Sequence, residues 1–364
     1  MLSLAMTAAM LSGCSSSNDS SSSSTAETTT AAETTVADET TETTETTEAA
    51  EETSQEETVD EEENYDTGDA SLDNIRNQDE IGEQELLVLS FGTSYNDSRR
   101  LTVGAIENDL EKAFPDFSVR RGFTSNIIID HVNKRDNVLI DDVDAAMNRA
   151  VDNGVKTLVV QPTHLMHGAE YDELTAALEG YKDKFESVKI AEPLLGEVGA
   201  DATVINADKA AVAEAITAEA VKDAGFDSLD AVKEDGTAFV FMGHGTSHTA
   251  KVSYSQMQTQ MEQLGYDNVF IGTVEGEPED TSCEAVIEKL KEAGFKKVIL
   301  RPLMVVAGDH ANNAMAGDDD DSWKSQFEAS GAFDSIDTQI AGLGEIQAIQ
   351  QLYVAHTQAA IDAE

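Results

Sequence analysis

Three residues in the C-terminal half of the sequence carry side chains suited to holding and releasing a metal ion. They are His244 in Gly243-His244-Gly245, Glu275 in Val274-Glu275-Gly276 and His310 in Gly308-Asp309-His310. Each follows a short apolar run, and each has glycine within two residues, where the backbone turns tightly and a ligand can approach closely. Imidazole and carboxylate suit Co2+, Fe2+, Ni2+ or Zn2+, and three such ligands leave coordination positions open for exchange. A neutral imidazole can also take a proton near neutral pH. Spacing alone does not separate a zinc hydrolase from a metal carrier, and a lone histidine after a strand is commonly a hydrogen-bonded loop residue.

The elements that must position these residues come in two similar sets. From Leu86 onward, short β-branched runs alternate with longer helix-period segments, the pattern of βαβ units and parallel sheets flanked by helices. Strands are expected at 86–90, 118–123, 157–161 and 189–191, and again at 238–242, 268–273, 298–301 and 338–341. Val103, Ile106, Leu110 and Phe114 fall on one face of the first intervening helix. The sets also match residue for residue: Ser90-Phe91-Gly92-Thr93-Ser94 with Gly243-His244-Gly245-Thr246-Ser247, Gly154-Val155-Lys156 with Gly294-Phe295-Lys296, and Leu195-Gly196-Glu197 with Leu343-Gly344-Glu345. We read an internal duplication, with an α/β lobe over 85–225, a second over 226–364 and a junction near 220–230. Ligands on open α/β sheets bind beyond the carboxyl ends of the strands, so two such lobes would frame an interlobe cleft. The copies differ where chemistry has been added to one of them. His244 stands where the first copy has Phe91, and His310 where it has Glu170.

Composition sets the N-terminal part apart. Residues 1–85 hold 23 Asp and Glu against one cation, Arg76, and so carry 22 of the chain's 48 net negative charges. A Ser/Thr/Glu-rich stretch with so little apolar content cannot offset a backbone ordering cost of about 1–2 kcal/mol per residue, so an extended, disordered tether is expected over 14–84. Before it, an apolar run ends in Leu11-Ser12-Gly13-Cys14, the pattern of a bacterial lipoprotein signal peptide over 1–13 with Cys14 lipidated. No Lys or Arg precedes that run, a departure from the usual leader that is consistent with a truncated start. The expected location is extracytoplasmic, anchored to the membrane only by lipid. Cys283 is the other cysteine, so no disulfide framework is available. The acidic balance and the absence of a basic stripe argue against nucleic acid as a partner.

The motifs Ser90-Phe91-Gly92-Thr93-Ser94-Tyr95, Gln161-Pro162-Thr163-His164, Gly243-His244-Gly245-Thr246, Val274-Glu275-Gly276 and Ala307-Gly308-Asp309-His310-Ala311-Asn312 resemble those of the class II tetrapyrrole chelatases. The likeness is greatest to the sirohydrochlorin cobalt chelatases of anaerobic cobalamin synthesis and covers residues 85–364. It implies a two-lobed, ferrochelatase-like fold with the macrocycle in the cleft, Co2+ as substrate metal and no organic cofactor. By the same resemblance His244, Glu275 and His310 would hold the metal, with His244 also the proton acceptor and Glu275 acting with it in catalysis.

Other candidates are less specific. Backbone amides at Gly92, Thr93 and Ser94 could cradle a substrate carboxylate. His164 would line the cleft from the opposite wall, and His248 could orient a ligand, while His167 reads as a surface residue. The acidic run 318–321 is either a solvated loop or a capture point for hydrated cations. Arg121, Arg99 and Arg301 could offset substrate carboxylates, and Arg99 and Arg301 could equally be surface charges. Two alternatives stay open: the same fold inserting Fe2+ or Ni2+, and an exported lipoprotein that binds haem, a corrinoid or metal for uptake. An oligomer is compatible with either.

Overall fold

The structure, a computed structural model, describes residues 67–363. Residues 1–66, with the expected signal peptide and Cys14, lie outside the described residues. The first sheet contains β1 (Gln84–Ser90), β2 (Ser118–Phe123), β3 (Thr157–Pro162) and β4 (Ser187–Ile190) in the order β2-β1-β3-β4. The second contains β5 (Thr237–Gly243), β6 (Val269–Thr273), β7 (Lys297–Pro302) and β8 (Ser335–Thr338) in the order β6-β5-β7-β8. Every pairing is parallel. The central strands β1 and β5 are buried almost throughout, as expected for sheets covered on both faces.

The duplication extends to individual backbone bonds. Leu89 pairs with Pro162 in the first sheet and Met242 with Pro302 in the second. Past the strand ends, Ser125 N–H donates to Phe91 O at 3.3 Å, and its counterpart Glu275 N–H donates to His244 O at 2.9 Å. The eighth strand lies three residues before the expected 338–341. Ile336, rather than the 45% exposed Ile340, packs into the second lobe's apolar cluster and sets the strand's place.

The lobes are not the contiguous segments 85–225 and 226–364, because each copy's closing helix crosses to the other sheet. The last helix, Gln347–Asp362, packs on the first lobe, where Tyr353 Oη donates to Thr163 O (3.0 Å) and Thr357 Oγ1 to Gln161 Oε1 (2.7 Å). The earlier closing helix, Ala207–Asp223, docks on the second. There Asp223 accepts from Arg301 Nη1 at 2.6 Å and Ala220 O from Gln339 Nε2 at 3.0 Å. Gln161 and Arg301 are repeat-equivalent, so the exchange is symmetric. One apolar cluster accordingly runs from Leu86 and Ile106 through Val212 and Ile216 to Phe239 and Tyr353.

The expected tether does not extend to residue 84. Among the described residues, 67–83 pack on the first lobe: Arg76 is 3% exposed and pairs with Glu107 (3.3 Å) and Glu111 (3.1 Å). Ile75 and Ile81 cover apolar clusters. Composition suggested disorder because few residues here are apolar, but Arg76 and Asp73 meet buried partners. No helix among the described residues is long and apolar enough to cross a membrane.

Candidate active site

In the order β6-β5-β7-β8 the chain reverses direction between β5 and β7, and the crevice at such a switch point is where open α/β sheets take ligands. His244 is the first residue after β5, and His310 lies on the segment that follows β7, opening a π-helical turn over His310–Met315. Their rings meet edge to face with centroids 4.6 Å apart and planes at 80°. His244 Nδ1 lies 2.9 Å from Gly245 O. A carbonyl only accepts, so that contact places the ring proton on Nδ1 and leaves the Nε2 lone pair available for a metal or a proton.

The His244 loop is held from three sides. Gly245 has φ +95°, and a methyl there would come within 2.8 Å of Glu275 Cβ, so both conformation and space demand glycine. Its N–H donates to the Tyr254 hydroxyl at 3.1 Å. Tyr254 is buried, and burial pushes its phenol up to about 12, so it stays protonated. Glu275 is tied to the loop through its own N–H, as above. Sequence reading missed Tyr254, whose only signal was its place on a helix beside the Gly-His-Gly turn.

The structure therefore brings His244 and His310 together and joins Glu275 to His244 through the backbone. Among the described residues no three His, Cys, Asp or Glu side chains form a metal-holding group. Glu275 instead lines a cavity of about 590 Å³ with Glu284, Asp319, Asp321 and Cys283. Burial pushes the Cys283 thiol up to about 12, which keeps it inert. The acidic run 318–321 thus reaches the same cavity as Glu275.

The other candidates make the following contacts. Gly92 repeats the Gly245 conformation at φ +103°, and Thr93 is 2% exposed; its hydroxyl accepts from Tyr95 N–H (3.2 Å) and its carbonyl from Arg99 (3.3 Å), bonds that use oxygens and not the amide N–H groups of the expected cradle. Ser94 O accepts from Arg135 at 2.6 Å. Both ring nitrogens of His164 are buried without hydrogen-bond partners, and burial lowers the ring to about 4. His248 Nδ1 accepts from Ala250 N–H (3.2 Å), capping a short helix, and its Nε2 lies 3.4 Å from Asp172 of the first lobe. It touches no candidate ligand through these bonds. His167, expected at the surface, is half-buried and bonded to Glu192 at 2.5 Å. Arg99, Arg121 and Arg301 are almost fully buried and engaged with Asp73, Glu107 and Asp223, so none is available to a substrate carboxylate.

Residues 84–362 match the family described as cobalt chelatase (CbiK). The chain belongs to that family. Among curated relatives it is 33% identical over 280 residues to the sirohydrochlorin cobaltochelatase of Salmonella typhimurium, covering 77% of this chain and 97% of the relative. It is 30% identical over 301 residues to the sirohydrochlorin cobaltochelatase CbiKC of Nitratidesulfovibrio vulgaris, covering 80% and 96%. The structure of SirB from Bacillus subtilis with Fe3+ shares the fold at a TM-score of 0.50 and 12% identity, covering 77% of this chain and 96% of that one. The expected fold class and the expected chelatase activity are thus both met. The family match begins at β1, so residues 67–83 lie before it.

Proposed function

We propose that this protein is a sirohydrochlorin cobaltochelatase that inserts Co2+ into the macrocycle and releases its two inner pyrrole protons. The observation that carries the reading is the His244–His310 pair at the switch point of the second sheet, with His244 Nε2 left as an acceptor. Insertion needs a base for each proton and a metal site that lets go. His244 and His310 would hold the ion with Glu275 as the third ligand after its side chain turns inward, and His244 would take a proton as its metal bond breaks. Glu275 offsets part of the metal's charge. Both relatives' names support cobalt, while the same donors also accept Fe2+ and Ni2+, whose order of use is set by availability.

We also propose an extracytoplasmic protein held to the membrane by lipid at Cys14, on the strength of Leu11-Ser12-Gly13-Cys14. That leader favours a second reading, capture of a haem, corrinoid or metal for uptake. The conjunction of two paired histidines with a nearby carboxylate favours the enzyme, because holding a finished macrocycle needs fewer ionisable groups.

The test is incubation of the protein with sirohydrochlorin and, separately, Co2+, Fe2+ and Ni2+, following macrocycle absorption. Insertion faster than the protein-free rate supports the chelatase, and fastest insertion with cobalt supports the metal assignment. No acceleration with any metal would leave the uptake reading in its place. For the anchor, Cys14→Ser should release the protein from membranes, and unchanged partitioning would count against lipidation.

A further inference from the structure

Asp73 precedes residues 84–362, the span of the family match, and joins the entering chain to a loop packed against the segment that bears His310. We propose that residues 67–73 form a strap that positions the chelatase site, acting through Arg99 and Ser98 on residues 307–310. Its activity arm rests on the chelatase reading, and its structural arm does not.

The Asp73 side chain is 4% exposed and sits between two buried guanidinium groups. Its Oδ2 accepts from Arg99 Nε at 2.7 Å and Arg121 Nη1 at 2.6 Å, and its Oδ1 accepts from Arg121 Nη2 at 3.1 Å. Burial alone would raise this carboxyl, but the two arginines hold it below its ordinary range. Arg121 has a second partner in Glu107, whose Oε1 and Oε2 each accept from it at 2.7 Å. Arg99 depends on Asp73 for its ion pair, and its remaining donors go to Thr93 O at 3.3 Å and Asn96 Oδ1 at 2.6 Å. The strap also grips this loop directly, since Asn96 Nδ2 donates to Gly68 O (3.1 Å) and Asp97 N–H to Thr67 O (2.8 Å).

The same loop holds the other lobe. Ser98 Oγ accepts from Ala307 N–H at 2.9 Å, and a methyl added to Gly308 would stand 3.3 Å from the Thr93 hydroxyl. Ala307 and Gly308 lie three and two residues before His310. A continuous set of contacts thus runs from Asp73 through Arg99 to Thr93 and Ser98, and from these to the segment that sets the His310 ring. Without Asp73, Arg99 would be a buried charge with only the more distant Asp136 to oppose it, beside a second cation. The least costly response is for it to swing toward water and release Thr93 and Asn96. Asp73 is on this account a positioning residue.

The test compares full-length wild type with Asp73→Ala, Ser98→Ala and the double variant. Hydrogen exchange in Asp73→Ala should quicken at 93–98 and 308–311 and stay unchanged at β6 and β8. The KM for Co2+ should rise about fivefold in each single variant, and the double variant should be no worse than the poorer single one, since both cut the same connection. Faster exchange confined to 67–83, or KM effects that multiply, would overturn the proposal. Should Asp73→Ala unfold, Ser98→Ala decides, because it leaves every ion pair intact: unchanged exchange at 308–311 would sink the idea. Wild type that inserts no metal would refute the proposed function while leaving the exchange result to decide on the strap.

Discussion

The ring of His244 meets that of His310 edge to face at 4.6 Å, although 65 positions separate them in the sequence. The second sheet brings them together by placing β5 beside β7. With His244 Nδ1 committed to Gly245 O, the pair has a defined tautomer on one side and an open lone pair in the crevice. His244→Ala and His310→Ala should each lower kcat/KM for Co2+ insertion by at least 100-fold. Because the rings act as a unit, the double variant should be little worse than either single one. Steady-state kinetics with sirohydrochlorin checks this, and full activity in both single variants would show that the site is misplaced.

Tyr254 supports the same loop from its buried side. Tyr254→Phe leaves the Gly245 N–H buried without an acceptor, at a cost of about 1–3 kcal/mol. Part of that cost should fall on the His244 loop. We expect insertion to slow about tenfold, equivalent to about 1.4 kcal/mol, with a lower urea midpoint. A variant as stable and active as wild type would remove Tyr254 from this role.

Gly245 and Gly154 give a controlled comparison. Both have positive φ, +95° and +75°, but only at Gly245 would a methyl meet a neighbour, Glu275. Each Ala substitution should cost about 1–2 kcal/mol of backbone strain. Only Gly245→Ala should also impair insertion, by displacing Glu275 and His244. Equal insertion rates in the two variants would show that the contact with Glu275 is unimportant.

His164 predicts a pH dependence of stability. Burial lowers the folded pKa from the ordinary 6.5 to about 4. Below pH 6.5 the unfolded chain binds a proton that the folded chain refuses, so stability is full above that pH and declines as pH falls toward 4. The decline amounts to about 3 kcal/mol at most. His164→Leu removes both the titration and two unpartnered nitrogens, and should raise the urea midpoint more at pH 5 than at pH 8. An equal shift at both values would mean that the ring is hydrated in solution.

Much of this was legible in the sequence because strand ends and glycine turns are local signals. The match of Gly243-His244-Gly245 to Ser90-Phe91-Gly92 located His244, and the gapless stretch after Pro162 and Pro302 located His310. Local signals fail where partner choice decides the outcome. Arg99, Arg121 and Arg301 looked like cleft or surface cations, because nothing nearby in sequence reveals that Asp73, Glu107 and Asp223 wait for them inside. His164 sits in a family-like motif, and nothing in that motif reveals that its ring nitrogens are buried without partners. The Asp73 strap was hidden by acidic composition.

The exchange of closing helices was hidden for the same reason, and it carries the last prediction. Tyr353 and Thr357 belong to the second repeat but bond to Thr163 and Gln161 of the first, while Asp223 and Ala220 belong to the first but bond to Arg301 and Gln339 of the second. Each repeat alone would lose the helix that covers its own sheet and expose the apolar face of the helix meant for the other. Buried apolar surface contributes roughly 25 cal/mol per Å², and a helix face buries several hundred Å², so the loss for each half is on the order of the whole stability of a domain this size. Fragments cut at 225/226 should therefore be unfolded separately by circular dichroism, and should form a folded 1:1 complex when refolded together. The intact chain should unfold in a single transition that both lobes share. Two resolved transitions, or one fragment that folds alone, would show that the exchanged helices are peripheral to lobe stability.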